Sequence, residues 1–154
     1  MKKIALLVMV MALAVAGLSF AQANPNFSGS WAPKVDQAAP APPAGGGGRG
    51  GGMAGPMTVK QTPTELTQEV VRGENTMTTV YKLDGTETVN KTQRGESKST
   101  AKFDGAKLVI KTVSEGPNGA METTATWSLS ADGKELSIVR TTQRGESKQV
   151  YTKQ

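Results

Sequence analysis

The 154-residue sequence contains no histidine and no cysteine, and these two absences exclude much chemistry. Without histidine there is no imidazole to act as a general base or as a metal ligand. Without cysteine there is no disulfide, no thiol nucleophile and no thiolate zinc site. Aromatic residues are also scarce, at 5% of the chain. We therefore expect neither a metal site nor a cofactor.

The carboxylates do not form a catalytic pattern either. General acid and base catalysis needs groups fixed close together on inward positions, whereas most Asp and Glu residues here stand at turn signals or on outward positions. The sequence also lacks a Gly-x-Ser-x-Gly motif, a phosphate-binding loop and a calcium loop. We therefore expect a protein that is not an enzyme.

The first 23 residues have the pattern of a secretion signal. Lys2 and Lys3 precede an apolar run over residues 4–20, and a small-x-small motif follows and ends at Ala23. An uncleaved membrane anchor is the alternative, but the run is short for a transmembrane helix. We predict cleavage after Ala23, a secreted or periplasmic location and no transmembrane span in the mature chain. Loss of the two lysines lowers the formal net charge from +5 to +3, so we expect no nucleic-acid partner.

Residues 33–56 are a low-complexity stretch of proline, alanine and glycine, and eight of the 18 glycines of the chain lie there. Such a composition buries too little apolar surface to offset the entropy of ordering the backbone. The stretch predicts a disordered loop between a first strand at 24–32 and the remaining domain at 57–154.

From residue 57 onward the sequence predicts β-strands throughout. Turn signals of the Arg-Gly-Glu, Asp-Gly and Asn-Gly types recur every 8–12 residues or so, which is typical of successive hairpins. Apolar and polar residues alternate between them, as in 135–140, where Leu136, Ile138 and Arg140 share one face. This predicts an all-β, antiparallel up-and-down meander of about 8–10 strands. Closure into a barrel would remove its exposed edges.

The start of the predicted mature chain carries a family resemblance. The segment Asn-Phe-Ser-Gly-Ser-Trp, which ends at Trp31, resembles the F-x-G-x-W opening of fatty-acid-binding proteins, and its Gly-x-Trp core is also the lipocalin signature. The resemblance implies a calycin barrel whose first-strand tryptophan packs across one end. The family also places a helical lid where this chain has its Pro/Gly stretch.

The last strand resembles the same family in part. Family members carry an Arg two residues before a Tyr, and this pair holds the carboxylate of the ligand. Here the two positions are Gln149 and Tyr151, so only the tyrosine matches. The resemblance therefore supports the architecture more than it supports fatty-acid binding.

The leading functional hypothesis is non-catalytic binding of a small, partly apolar ligand, hydrophobic or anionic, inside a monomeric barrel. An inward Arg140 needs a partner because an unpaired buried charge costs several kcal/mol. An anionic ligand would supply that partner; stacking on Trp31 or pairing with a glutamate are the alternatives. An internal cavity would favour ligand binding, whereas a filled interior would favour a surface role. The candidate lining residues are Trp31, Tyr81, Trp127, Arg140, Gln149 and Tyr151.

The second hypothesis rests on an internal repeat. The heptapeptide Thr-Gln-Arg-Gly-Glu-Ser-Lys occurs at 92–98 and again at 142–148, and Arg-Gly-Glu recurs at 72–74. The alternation of turns would place all three copies at one end of the sheet. These charged turns are either a surface that binds a partner or a hairpin type that was reused. The candidate contact residues are Arg94, Glu96, Arg144 and Glu146.

Overall fold

In the computed structural model of the protein, the structure describes residues 24–34, 55–92, 95–116 and 119–154. The predicted signal segment, most of the Pro/Gly stretch and Arg94 lie outside these ranges. The strands are β1 (Gly29–Pro33), β2 (Met57–Gln61), β3 (Glu65–Arg72), β4 (Asn75–Lys82), β5 (Thr88–Thr92), β6 (Gly95–Asp104), β7 (Lys107–Gly116), β8 (Gly119–Leu129), β9 (Glu135–Thr142) and β10 (Gly145–Lys153). No helix of the described part is long and apolar enough to cross a membrane.

All ten strands belong to one sheet of antiparallel neighbours in the order β4-β3-β2-β1-β10-β9-β8-β7-β6-β5. Pairing of β1 with β10 joins the two ends of the meander, so the sheet curls into a nearly closed barrel. The predicted all-β meander is confirmed, and the number of strands is ten.

No backbone hydrogen-bond ladder joins β4 to β5, which are the two ends of the strand order. Side chains link these two strands instead. The side-chain oxygen of Asn90 accepts a hydrogen bond from the backbone N–H of Val80 at 2.9 Å, and its amide donates to the carbonyl of the same residue at 2.9 Å. The hydroxyl of Thr88 accepts a third bond from the Lys82 N–H at 3.2 Å. We call this junction the seam.

The connections sort into two ends, as the repeat predicted. The Arg-Gly-Glu turns after β3 and β9 lie at one end, together with the last residues of β1, β5 and β7 and the first residues of β2, β6 and β8. We call this the mouth, since the inward-facing Met121 there is 52% exposed. The β2–β3, β4–β5, β6–β7 and β8–β9 connections lie at the other end, which we call the base. Gly73 and Gly105 adopt φ of 58° in their turns, a conformation that favours glycine.

The base is sealed by the segment that precedes β1. A first strand was predicted at 24–32, but β1 covers Gly29–Pro33, and residues 24–28 cross beneath the barrel. Phe27 is fully buried there, and its ring contacts Trp127 edge-on at 5.8 Å and Phe103 at 6.5 Å. The side chain of Gln61 holds the segment by accepting from the Phe27 N–H at 2.9 Å and donating to the Pro25 carbonyl at 3.0 Å.

The core fills the half of the barrel near this seal. Alternation along the strands directs large apolar side chains inward at register-paired positions, so neighbouring strands contribute to one continuous cluster. Its fully buried members include Trp31, Leu66, Leu108, Trp127, Leu136 and Ile138. The apolar half is therefore packed with side chains. Nearer the mouth, the inner face of β6 to β10 is mostly polar, whereas β2 and β3 still carry the buried Met57 and Val70.

Candidate functional site

Four of the six predicted lining residues come together inside the barrel. Arg140 lies on the inner face of β9, in the same alternation as the buried Leu136 and Ile138. Gln149 and Tyr151 lie on the inner face of the neighbouring β10, and Tyr81 lies on the inner face of β4. These positions follow from period-two alternation, as predicted.

The side chain of Gln149 links two of these groups. Its oxygen Oε1 accepts a hydrogen bond from Nη1 of Arg140 at 3.1 Å and another from the hydroxyl of Tyr151 at 3.2 Å. The guanidinium of Arg140 thus reaches Gln149 from the adjacent strand β9.

The positive charge of Arg140 acts on the pKa of two tyrosines inside the barrel, Tyr81 and Tyr151. Burial raises the pKa of Tyr81 and of Tyr151, and the positive charge of Arg140 opposes that rise at both phenols. The charge of Arg72 acts in the same direction on the pKa of Tyr151. Because β4 and β9 are not neighbours in the sheet, Arg140 acts on Tyr81 across the interior. Both phenols stay protonated near neutral pH and can donate hydrogen bonds.

The inner face carries positive charge without matching carboxylates. No Asp or Glu stands at an inward position of the ten strands within the described residues. Ion pairs between described residues include Lys34–Glu135 at 2.8 Å and Lys60–Glu69 at 3.5 Å, both on the outside of the barrel. Arg140 is thus partly buried beside neutral partners, and none of the described carboxylates pairs with it.

The two predicted tryptophans belong to the core. Trp31 is 1% exposed, and its indole N–H donates to the Phe27 carbonyl at 3.0 Å. The cation over its ring is Lys153, at 5.5 Å from the centroid, so the expected stacking of Arg140 on Trp31 is not what the structure shows. Trp127 is also 1% exposed and pairs in register with Ile138, one row deeper than Arg140.

The residues predicted for the second hypothesis lie outside the barrel. Glu96, Arg144 and Glu146 are exposed at the mouth. Arg94 falls outside the described residues. These side chains surround the entrance, and none of the three points into the interior.

Two carboxylates with a lowered pKa, Asp84 and Asp132, accept hydrogen bonds within turns at the base. Hydrogen bonds from the hydroxyl and backbone N–H of Thr86 lower the pKa of Asp84. The Ser130 hydroxyl and the Lys134 N–H do the same for Asp132. Within the described ranges, no group of three or more potential metal ligands comes together.

Depressions of the described surface lie away from Arg140. One, of about 540 Å³, is bordered by Ser130, Asp132 and Thr152 on the outside of the base. Another, of about 360 Å³, is bordered by Asn26, Gln61 and Phe103 beside the sealing segment. Neither includes a predicted lining residue. The candidate site is the polar part of the interior around Arg140, and neither depression reaches it.

The sequence analysis missed two inward hydroxyls in this part of the barrel. Thr112 follows the buried Ile110 by two residues on β7, and Thr123 precedes the inward Ala125 by two on β8. The period-two pattern extends to both positions and could have identified them. Both positions lie just beyond the apolar part of the alternation on their strands.

Comparisons with known proteins show the fold. No family model matches the chain, and no curated protein does. A solved structure titled as a secretory abundant heat soluble protein 4 from Ramazzottius varieornatus is 20% identical and has a TM-score of 0.59 over 83% of this chain and 94% of its own. A second, titled REP1-NXSQ fatty acid transporter, is 12% identical and has a TM-score of 0.53 over 64% of this chain and 69% of its own. These likenesses show the fold alone, an antiparallel β-barrel.

Proposed function

We propose that this protein is an exported, non-catalytic binding protein that holds a small anionic, partly apolar ligand at Arg140 inside the barrel. The observation that carries the proposal is the placement of that guanidinium. It is partly buried on the inner face, bonded to the neutral Gln149, and unpaired with any described carboxylate. Removing a cation from water is unfavourable unless an anion or several acceptors compensate it.

The chemistry around Arg140 suits a carboxylate. A guanidinium carries five N–H donors in a planar fork, and the bond to Gln149 uses one nitrogen of that fork. The protonated phenol of Tyr81 adds a hydroxyl on β4, whereas that of Tyr151 donates to Gln149 and helps to hold it beside Arg140. An anion would therefore meet positive charge and a hydroxyl group together. One of the structural neighbours is titled as a fatty acid transporter, which supports a ligand with an acidic group without identifying it.

Apolar surface beside Arg140 explains why part of the ligand would be apolar. Leu108, Trp127 and Ile138 form a packed row beneath Arg140 with almost no free surface. Carbon atoms of the ligand would instead contact the partly exposed Ala125, the register partner of Arg140, at about 25 cal/mol per Å² of apolar area. The packed core limits the depth that a ligand can reach, so the ligand would be small.

The sequence of residues 1–23 supports export as a part of this proposal. The basic start, the apolar run and the small-x-small motif at Ala23 support a secreted or periplasmic location. The mature chain without cysteine would then rely on its backbone ladder in an oxidising compartment.

The experiment titrates the purified protein with three carboxylates, namely benzoate, hexanoate and shikimate, and follows binding by NMR. Arg140→Gln removes the charge inside the barrel, and Arg144→Gln removes the same charge from an exposed turn. We expect at least one carboxylate to bind the wild type and Arg144→Gln alike. Its affinity for Arg140→Gln should fall about tenfold or more, since a hydrogen bond to a charged group contributes about 1.5–3 kcal/mol. Binding of none of them, or equal affinity for Arg140→Gln, would refute the proposal.

A second candidate function is supported by the position of the turns. Arg72, Glu74, Arg144 and Glu146 are exposed at one end of the barrel and form a charged rim. In this case the rim would contact a partner, and the interior would only support the turns. An Arg144→Ala/Glu146→Ala double variant separates the two candidates. Carboxylate binding that survives this double change but not Arg140→Gln favours the interior site, whereas the converse favours the rim.

A further inference from the structure

The interior changes from apolar to hydroxyl-lined within two rows of the sheet. Ser99 on β6, Thr112 on β7, Thr123 on β8 and Thr142 on β9 are successive register partners on the inner face. A second pair, Ser97 and Ser114, lies one row nearer the mouth. We call the four register partners the hydroxyl row. They place four alcohol groups side by side around the wall.

Arg140 lies directly beneath this row. Its own row runs across Ala101, Ile110 and Ala125, so small side chains stand on two of the strands that face the guanidinium. Two positions further along β9 is Thr142 of the hydroxyl row. An anion on Arg140 would therefore have the alcohol groups next to it, on the side of the mouth.

The row of side chains below Arg140 leaves no room for a long alkyl chain. Phe103, Leu108, Trp127 and Ile138 pair in register, and the last three are at most 1% exposed. An extended hydrocarbon bound deeper than Arg140 would have to displace these side chains. Hydrocarbon bound above Arg140 would lie against hydroxyl groups and cover them.

The hydroxyl row keeps hydrogen-bonding capacity toward the interior. The hydroxyls of Ser99 and Thr112 bond to each other at 2.9 Å. The hydroxyl of Thr142 donates to the Gly145 carbonyl at 3.1 Å and accepts from the Arg144 N–H at 3.2 Å. A hydroxyl has one donor and two acceptor sites, so Thr142 keeps one acceptor site for a ligand, and Ser99, Thr112 and Thr123 keep more. Thr112, Thr123 and Thr142 are only partly buried and face solvent from the mouth.

We propose that the ligand at Arg140 is a small carboxylate that itself carries several hydroxyl groups, with its carboxylate on Arg140 and its alcohol groups on the hydroxyl row. This inference rests on the proposed function and specifies its ligand class. A site built to hydrogen-bond hydroxyl groups rejects an analogue that lacks them, because its own polar groups are left without partners. An alkyl carboxylate is such an analogue.

The test uses two carboxylates with the same ring skeleton. Shikimate and cyclohex-1-enecarboxylate differ only in the hydroxyl groups of shikimate, and both carry the carboxylate that Arg140 requires. Methyl shikimate keeps the hydroxyl groups and lacks the charge. Dissociation constants are measured by NMR titration of the full chain.

Three variants separate the contributions of the hydroxyl row and of Arg140 to ligand affinity. A Thr112→Val/Thr123→Val double variant removes two alcohol groups at constant shape. Thr124→Val is the matched control, since Thr124 faces outward on β8. Arg140→Gln tests the anion site itself.

We expect shikimate to bind about tenfold or more tightly than cyclohex-1-enecarboxylate. Methyl shikimate should bind more weakly than shikimate. The double variant should lose about fivefold or more in shikimate affinity, whereas Thr124→Val should change it less than about twofold. The affinity for cyclohex-1-enecarboxylate should not fall in the double variant.

Two failures are distinguishable. If cyclohex-1-enecarboxylate binds as tightly as shikimate, or if the double variant keeps full shikimate affinity, the inference is wrong. The proposed function still stands in that case, provided that Arg140→Gln weakens binding. If neither of these two carboxylates binds, the inference fails, and the proposed function fails with it when benzoate and hexanoate do not bind either. If Arg140→Gln binds carboxylates as the wild type does, both fail.

Discussion

The seam between β4 and β5 gives the most specific stability prediction. Asn90 is 9% exposed, and its side chain satisfies both the N–H and the carbonyl of Val80. No strand partner can replace it, because β4 and β5 are the two ends of the strand order. Truncation to alanine would leave two backbone groups of β4 without their partners.

The magnitude follows from those two bonds. Each contributes about 0.5–1.5 kcal/mol net, and a buried group without a partner costs about 1–3 kcal/mol. Asn90→Ala should therefore lower the free energy of unfolding by about 2–4 kcal/mol. Asn75→Ala is the matched control, since Asn75 is exposed at the start of β4, and it should cost less than about 0.5 kcal/mol.

Urea unfolding followed by tryptophan fluorescence measures the effect through the midpoint at unchanged m-value. Asn90→Asp refines the test, because an ionised carboxylate keeps the acceptor for the Val80 N–H but repels the Val80 carbonyl. Protonation restores an O–H donor, so this variant should recover stability as the pH falls. A loss below about 1 kcal/mol for Asn90→Ala would show that the seam does not depend on this side chain.

Two further predictions concern the base and the tyrosines. Gly29 has a φ of 144°, and a Cβ there would lie 2.8 Å from Cε of Lys153, so Gly29→Ala should cost about 1–3 kcal/mol in urea unfolding; an unchanged midpoint would contradict this. The folded pKa of Tyr81 and Tyr151 is raised, so both phenols bind protons more tightly when folded. Stability from them is present below the ordinary tyrosine pKa and is lost as the pH rises through the folded values. Arg140→Gln should raise both further in an absorbance titration of phenolate, and a downward shift would refute the placement of Arg140.

Much of the fold was predictable because hairpin meanders depend on local signals. Turn residues such as those at 104–105 and 132–133 set where strands end, and alternation sets which side chains face inward. The inward position of Arg140 and the common end of the Arg-Gly-Glu turns both followed from these two rules.

The remaining features depend on contacts between distant parts of the chain. The position of Phe27 beneath the barrel follows from its hydrogen bond to Gln61, 34 residues away. The replacement of a backbone ladder by Asn90 follows from how the two ends of the sheet meet. Likewise, alternation predicted an inward Arg140 without indicating that Gln149 would be its partner, since the pairing depends on the register of β9 with β10. Local periodicity carries no information on such long-range geometry.

The central claim is that an anion binds at Arg140 inside the barrel, and a chemical-shift map of the bound site tests it most directly. Isotope-labelled protein is titrated with whichever of benzoate, hexanoate and shikimate binds most tightly. The account predicts that the largest shifts fall on the side-chain signals of Arg140 and Gln149 and on the rings of Tyr81 and Tyr151. Shifts confined to the exposed turn at 142–146, or to the outer face of the sheet, would contradict it.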